Sequence, residues 1–131
     1  MKAIGFNRPL PVSNPEALLD IEMPEPELRT HDILVAVQAV SVNPVDVKVR
    51  AAHTPAAGQY RVLGYDAANI VQAVGSEVRY FKVGDEVYYA GAINRQGSNA
   101  QLQAVDARIA AKKPRSLDFA QVASVDRKSV V

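Results

Sequence analysis

The sequence predicts a mainly β fold: a small, partly open β-barrel with short helices. Short apolar runs rich in β-branched residues recur along the chain at close spacing, which is typical of barrels. Glycine-containing pairs punctuate these runs where tight turns are needed. The length of 131 residues and the apolar fraction of 48% suit one domain that buries about two-thirds of its unfolded surface.

The apolar runs predict seven strands along the chain, and prolines mark the connections between some of them. A proline-bearing loop follows the first strand, and Pro24 and Pro26 make residues 23–31 an extended connector because proline has no N–H for a ladder. Residues 33–42 are apolar almost without interruption, which predicts burial on both faces or a bend that swaps faces. The predicted strands are residues 1–6, 16–22, 33–42, 67–74, 87–89, 101–105 and 109–111.

Two helical segments and one loop complete the secondary structure. Residues 44–50 predict a helical turn, with Pro44 at the first helical position, where proline is tolerated. Residues 51–60 are small and suit a loop over a cleft. Residues 115–123 predict a short helix with Ser116 as its N-cap.

Composition excludes several function classes. The net charge is +1 with acids and bases interspersed, so the chain lacks the basic stripe that nucleic-acid binding needs. No apolar run approaches the roughly 18 residues of a membrane span, and the start does not resemble a signal peptide. The absence of cysteine fits a reducing compartment. We therefore expect a cytoplasmic protein with no nucleic-acid or membrane partner.

Two motifs resemble a known family. Residues 64–91 have the spacing G-x-D, then V-x-A-V-G-x-x-V, then F-K-V-G-D-x-V, with turns at Gly75-Ser76 and at 83–86. This resembles the N-terminal, GroES-like catalytic domain of medium-chain dehydrogenase/reductases. Residues 39–46 resemble the N-P-x-D segment of the zinc-free, quinone oxidoreductase-like members. The resemblance covers residues 1–123 and implies a GroES-like barrel.

The same resemblance argues against a metal site. Zinc-dependent relatives carry a cysteine ligand where Asn43 stands and G-H-E where this chain has Gly64-Tyr65-Asp66. Catalytic zinc needs about three protein ligands from Cys, His or carboxylate. Only His31 and His53 remain, in no ligand spacing, and the four-cysteine structural lobe is missing. We expect no zinc.

Without a metal, hydrogen-bond donors must polarise a substrate carbonyl. The resemblance implies that Asn43, Lys48 and Arg50 bind the cofactor and that Tyr65 and Asp46 act in catalysis. Structural alternatives stay open for each: a turn for Asn43, stabilisation of a helix N-terminus for Asp46, solvated charges for Lys48 and Arg50, and a core ring for Tyr65.

Glycines in the motif have a structural interpretation. Gly64, Gly75, Gly84 and Gly91 are assigned to backbone geometry, with positive φ available in turns. Asn69 stands where the family usually has glycine. Because asparagine visits the left-handed region readily, we expect it to keep that backbone angle.

The sequence also predicts an incomplete enzyme. No G-x-G-x-x-G turn is present, so a dinucleotide-binding Rossmann domain is absent, and residues 124–131 form an atypical tail. By resemblance, the chain is the N-terminal catalytic-domain portion of an NAD(P)H-dependent oxidoreductase that reduces quinones, enones or similar carbonyl compounds. We expect NADPH to serve the longer parent, and this chain to be inactive alone, to bind no cofactor and to self-associate through an uncovered sheet edge.

Two other functions compete with this interpretation. One is a zinc-dependent alcohol dehydrogenase, which the ligand pattern disfavours. The other is a co-chaperonin-like binding module, which needs an apolar docking loop, whereas residues 51–60 are nearly devoid of large aliphatic side chains. The substrate and the choice between NADPH and NADH stay open.

Overall fold

The structure is a computed structural model that describes residues 1–11, 13–42, 44–52, 55, 59–91 and 95–123. Within these residues the chain forms eight strands, two α-helices and one 3-10 turn at Ala107–Ile109. The strands are β1 (Lys2–Phe6), β2 (Leu19–Glu22), β3 (Asp32–Ser41), β4 (Arg61–Val62), β5 (Asp66–Val74), β6 (Glu86–Ala90), β7 (Leu102–Asp106) and β8 (Ala110–Lys112). The helices are α1 (Pro44–Ala52) and α2 (Phe119–Ala123).

Two antiparallel sheets make up the barrel. One has the order β2-β1-β4 and the other β7-β3-β5-β6-β8. An isolated bridge between Ala3 and Ala100 joins β1 to the segment that leads into β7, and the Ile4 amide donates to the Asn99 carbonyl beside it. This bridge joins the two sheets at one place, and within the described residues the sheets do not otherwise close into one. The predicted partly open, mainly β barrel is confirmed.

β-Branched side chains build the core of the larger sheet. Ile33, Val35, Val71, Val87 and Val105 are almost completely buried and pack in one cluster. They occupy alternate positions on their strands, as a sheet with one core-facing side requires. Each such side chain stabilises the fold by about 2 kcal/mol through its burial.

β3 pairs with β5 in an irregular register, which favours a bend over burial on both faces. The register with β5 shifts between Leu34 and Val35 and again between Val37 and Ala39. Such irregularities bend a strand and increase its twist. Beyond the second shift Val40 is 39% exposed, so the apolar run leaves the core at this end.

Both predicted turns of the motif are present, for two different reasons. Gly84 has φ of 95°, the left-handed region that glycine enters without strain. Gly75 has no positive φ, but a Cβ there would lie 2.3 Å from the Arg29 carbonyl oxygen. Close backbone contact therefore selects glycine at position 75.

The prediction for Asn69 is wrong. No described non-glycine residue has positive φ, and Asn69 lies within β5 with its side chain fully buried. Burial raises the pKa of Tyr89, whose hydroxyl donates to Gln103 Oε1. Neither polar atom of the Asn69 amide has a hydrogen-bond partner in the described part of the chain. Asn69 thus contributes a buried polar group to the barrel rather than a turn conformation.

The C-terminal helix begins later than predicted, and its cap is Asp118 rather than Ser116. The Asp118 carboxylate accepts a hydrogen bond from the Gln121 amide at 2.8 Å, and Gln121 Oε1 accepts one from the Asp118 amide at 3.0 Å. This reciprocal pair is a capping box. α2 then packs Val122 and Ala123 against Ala68 of β5. Within the described residues no helix is long and apolar enough to cross a membrane.

A buried ion pair lies at the start of β3 in the larger sheet. Arg95 donates two hydrogen bonds to Asp32, at 3.0 and 2.7 Å, and the two side chains are 23% and 3% exposed. The Arg95 hydrogen bonds hold the pKa of Asp32 below its ordinary value, against the opposing effect of burial. The pair fixes the segment after β6 on the start of β3, across 63 positions of sequence.

We predict that Arg95→Met lowers the free energy of unfolding by about 3 kcal/mol, because it leaves a buried carboxylate unpaired. Arg108→Met is the matched control, since Arg108 pairs with Asp106 on the surface, and it should change little. Urea unfolding of both variants measures the difference.

The stability lost in Arg95→Met should become smaller as the pH falls. The folded-state pKa of Asp32 is depressed, so the pair stabilises fully above the ordinary value of 3.8 and less as the pH falls through the lower folded value. The gap between wild type and Arg95→Met should therefore narrow below about pH 4. A gap that stays constant down to acid unfolding would contradict this origin.

Candidate functional site

Polar residues collect at one end of the larger sheet, where β3 ends, β5 begins and β6 ends. The register places Ser41 opposite Asp66, and Asp66 opposite Ala90. α1 starts at Pro44, directly beyond this end of β3. We call this region the polar end. It unites the N-P-x-D segment with the Gly64-Tyr65-Asp66 turn, as the two motifs predict.

Asp46 connects the two motifs. Its side chain is buried, with 6% exposure, and its Oδ1 accepts a hydrogen bond from the Gly64 amide at 2.9 Å. Asp46 also lies in the first turn of α1, where a negative charge is stabilised by the helix dipole. The carboxylate therefore holds the start of α1 on the turn that precedes β5.

Tyr65 packs its ring in the core. The side chain has no exposed surface, and its hydroxyl accepts a hydrogen bond from Arg61 Nη2 at 3.2 Å. The Tyr65 carbonyl accepts from the Gly91 amide, and a Cβ on Gly91 would lie 2.9 Å from that oxygen. The backbone of Tyr65 thus belongs to the polar end, while its hydroxyl lies beside Arg61.

α1 does not bring Lys48 and Arg50 together. Positions 46 and 50 share a helix face, whereas position 48 is rotated about 200° from position 46. Arg50 is half-buried and donates to the Leu10 carbonyl, and Lys48 is exposed without a hydrogen bond or ion pair to any described residue. Asn43, the third residue predicted to bind the cofactor, lies outside the described residues.

The donor set of the polar end does not fit a catalytic zinc. Asp46 and Asp66 are its buried carboxylates, and the chain has no cysteine. His31 precedes β3 at its far end, with its Nδ1 3.3 Å from the Thr30 hydroxyl, and His53 lies outside the described residues. Within the described part of the chain, no three His, Cys, Asp or Glu side chains come together as a metal site would require.

One known protein family matches most of this chain. The profile of the family described as "Alcohol dehydrogenase GroES-like domain" matches residues 29–126. The chain belongs to this family. It therefore corresponds to the N-terminal domain of medium-chain oxidoreductases, as the two motifs predict.

Three relatives show how far the similarity extends. A zinc-type alcohol dehydrogenase-like protein of Staphylococcus aureus is 42% identical over 125 residues, which are 95% of this chain and 37% of that protein. The crystal structure of a putative zinc-dependent alcohol dehydrogenase from Rhizobium etli is 52% identical with a TM-score of 0.93, covering 99% of this chain and 38% of that one. Escherichia coli quinone oxidoreductase complexed with NADPH is 27% identical with a TM-score of 0.82, with coverage of 99% and 38%. The chain spans little more than a third of the length of these relatives.

Some residues of this GroES-like domain carry no sequence signal. Gln96 acts as a strand partner for β4: its Oε1 accepts from the Val62 amide at 2.7 Å, and its Nε2 donates to the Tyr60 carbonyl at 2.8 Å. Ser98 is fully buried beside Gly64, and its hydroxyl has no hydrogen-bond partner among the described residues. Arg61 was not predicted to contact Tyr65. These contacts depend on chain segments that meet only in the folded barrel.

The two positive-φ glycines form a matched pair for a stability test. Gly64 has φ of 102°, and a Cβ there would lie 2.5 Å from Ser98 Oγ, whereas the space around Gly84 is open. Gly84→Ala should therefore cost only the backbone strain, about 1 kcal/mol. Gly64→Ala should cost clearly more, because it adds overpacking of about 1–3 kcal/mol. Thermal unfolding of both variants measures the difference, and equal losses would show that Gly64 is not crowded.

Proposed function

We propose that this domain is the N-terminal catalytic portion of a zinc-free, NADPH-dependent oxidoreductase that reduces quinones, enones or similar carbonyl compounds. The observation that carries the proposal is the hydrogen bond from the Gly64 amide to Asp46, which joins the N-P-x-D helix to the Gly64-Tyr65-Asp66 turn. The NADPH complex of Escherichia coli quinone oxidoreductase supports the choice of cofactor.

The residues present fit a cofactor only in part. Lys48 is an exposed cation without a described partner, so it is available to a phosphate or carboxylate group. Arg50 is committed to the Leu10 carbonyl, and we assign it to holding α1 against the loop before β2. Asn43 precedes α1 and is assigned to the cofactor by resemblance. NADPH, when bound in the longer parent, supplies the hydride.

Tyr65 is the proposed donor to the substrate oxygen, a role that requires its hydroxyl, fully buried beside Arg61 in this structure, to become accessible. Its hydroxyl accepts a hydrogen bond from Arg61, which leaves the hydroxyl proton free to be donated. Asp46 acts on the turn that carries Tyr65, since its carboxylate already accepts the Gly64 amide. In this account Asp46 positions the site, and donation to a developing oxyanion lowers the barrier by a few kcal/mol.

A zinc-dependent alcohol dehydrogenase is the second candidate, because two of the relatives carry zinc in their names. The donor set of the polar end argues against it. Elemental analysis of the purified chain after incubation with zinc and dialysis separates the two. Stoichiometric zinc that is lost on Asp46→Ala would favour the second candidate.

The 131 residues alone should bind no NADPH and show no turnover, because no phosphate-binding G-x-G-x-x-G turn is present in their sequence. A fluorescence titration with NADPH tests this, with the full-length Rhizobium etli protein as the comparison. Saturable micromolar binding by the 131-residue chain would contradict the expectation that these residues bind no cofactor.

A chimaera tests the proposed reaction itself. Residues 1–123 of this chain should replace the matched part of the Rhizobium etli protein, whose fold agrees at a TM-score of 0.93. We expect NADPH-dependent reduction of a quinone or an enone, and about a tenfold rise in the KM for NADPH in the Lys48→Ala chimaera as one charge-assisted contact is lost. A folded chimaera that binds NADPH but reduces neither substrate class would overturn the proposal.

A further inference from the structure

Among the described residues, the outer edge of β7 is unpaired. β7 pairs with β3 alone among the strands of the larger sheet. The hydrogen bond from the Ala107 amide to the His31 carbonyl sets the phase of this ladder, so odd-numbered residues of β7 point their backbone groups toward β3. In the described part of the chain, nothing pairs with the backbone groups that point outward, those of Leu102, Ala104 and Asp106.

A groove lined by arginines, and also by Glu27 and Asp106, runs along this edge. Two cavities of about 400 and 330 Å³ share Gln103, Ala104 and the arginines Arg29 and Arg95 in their walls. A third arginine, Arg61, lines the larger cavity. Because Asp32 and Asp106 are register partners, Arg95 lies on the face of the sheet that carries the Ala104 side chain. A strand laid along β7 would therefore present one row of its side chains to arginine.

β2 is an edge strand of the opposite charge. It pairs with β1 alone among the described strands, and the hydrogen bond from the Met23 amide to the Met1 carbonyl sets its phase. The outward backbone groups are those of Asp20 and Glu22. Both side chains are exposed, while Leu19 and Ile21, on the opposite face, are half-buried.

We propose that β2 of a second copy of this chain adds to the free edge of β7. Antiparallel pairing would satisfy the outward N–H and C=O groups of Asp20 and Glu22 against those of β7. It would also place both carboxylates on the face that carries Arg95, which is already bound to Asp32, and beside the cavities that Arg29 lines. Leu19 and Ile21 would then extend the apolar face of the larger sheet, so hydrogen bonding, charge and burial favour the same arrangement.

Disulfide trapping tests the contact directly, because the chain has no cysteine of its own. Ala104→Cys should be mixed with Asp20→Cys or Glu22→Cys under mild oxidation. Opposed residues of an antiparallel pair lie within disulfide reach, so we expect a heterodimer in at least one mixture. The matched control replaces Ala104→Cys with Lys112→Cys on β8, and should give at least tenfold less product.

Only preferential trapping of Ala104→Cys with a cysteine on β2 supports the proposal. Equal trapping at β7 and at the β8 control would show random collision. Trapping of Ala104→Cys with itself, in preference to either β2 variant, would show that the β7 edge meets its own copy instead. Either result overturns the assignment of β2 to this groove.

Sedimentation velocity measures the association without a cross-link. The wild type should associate with rising concentration, and added salt should weaken the association. Ala104→Pro removes one outward N–H and should raise the dissociation constant about tenfold, since one backbone hydrogen bond contributes about 1 kcal/mol and proline adds a clash. Lys112→Pro removes an outward N–H from β8 and should not change it, because the Lys113 amide sets the phase of that edge.

A second variant covers the case in which Ala104→Pro does not fold. Asp20→Lys changes an exposed side chain on the other strand and should weaken association to a similar degree, while Glu77→Lys, also exposed, should not. A wild type that stays monomeric up to about 1 mM would overturn the proposal. So would a monomer that instead binds a peptide of alternating valine and glutamate, because the edge would then serve another polypeptide.

Discussion

The hydrogen bond from the Gly64 amide to the Asp46 carboxylate is the contact on which the polar end depends. A hydrogen bond from a backbone N–H to a buried charged group contributes about 1.5–3 kcal/mol, and loss of the acceptor leaves a buried donor unsatisfied. Both partners here are buried. The start of α1, the left-handed conformation of Gly64 and the backbone of Tyr65 all lie within two residues of this bond.

The barrel supplies the frame for that bond. The irregular register of β3 turns the strand out of the core, so that Val42 is 79% exposed just before the N-P-x-D segment. The ion pair between Arg95 and Asp32 holds the segment after β6 against the other end of β3. The irregular register and the ion pair lie at opposite ends of the longest strand, so the ion pair does not involve the polar end.

Sequence reasoning predicted the parts of the fold that depend on local chemistry. The runs rich in Ile and Val, Pro44 at the first position of α1 and the turn at Gly84 each follow from preferences within a few residues. The family motifs brought Asp46 and Gly64 to one site. The Asp118–Gln121 capping box has the usual spacing for such a box, but it was missed, because Ser116 was predicted as the cap.

Contacts between distant segments could not be predicted in this way. Arg95 and Asp32 are both ordinary surface residue types, and nothing local marks either one for burial. Asn69 was expected to keep a left-handed backbone angle because the family resemblance puts glycine at that position, but the strand continues through it and buries the amide. Burial of a polar side chain depends on which groups of the folded barrel surround it, and single-sequence patterns do not encode that.

Hydrogen exchange at the Gly64 amide measures whether the Asp46 carboxylate holds the turn before β5. We predict strong protection of this amide in the wild type, near-wild-type protection in Asp46→Asn, which keeps an oxygen acceptor, and exchange at least tenfold faster in Asp46→Ala. The amides of β5 should stay protected in all three proteins. Unchanged protection of Gly64 in Asp46→Ala would show that the carboxylate does not hold the turn, and would contradict the account.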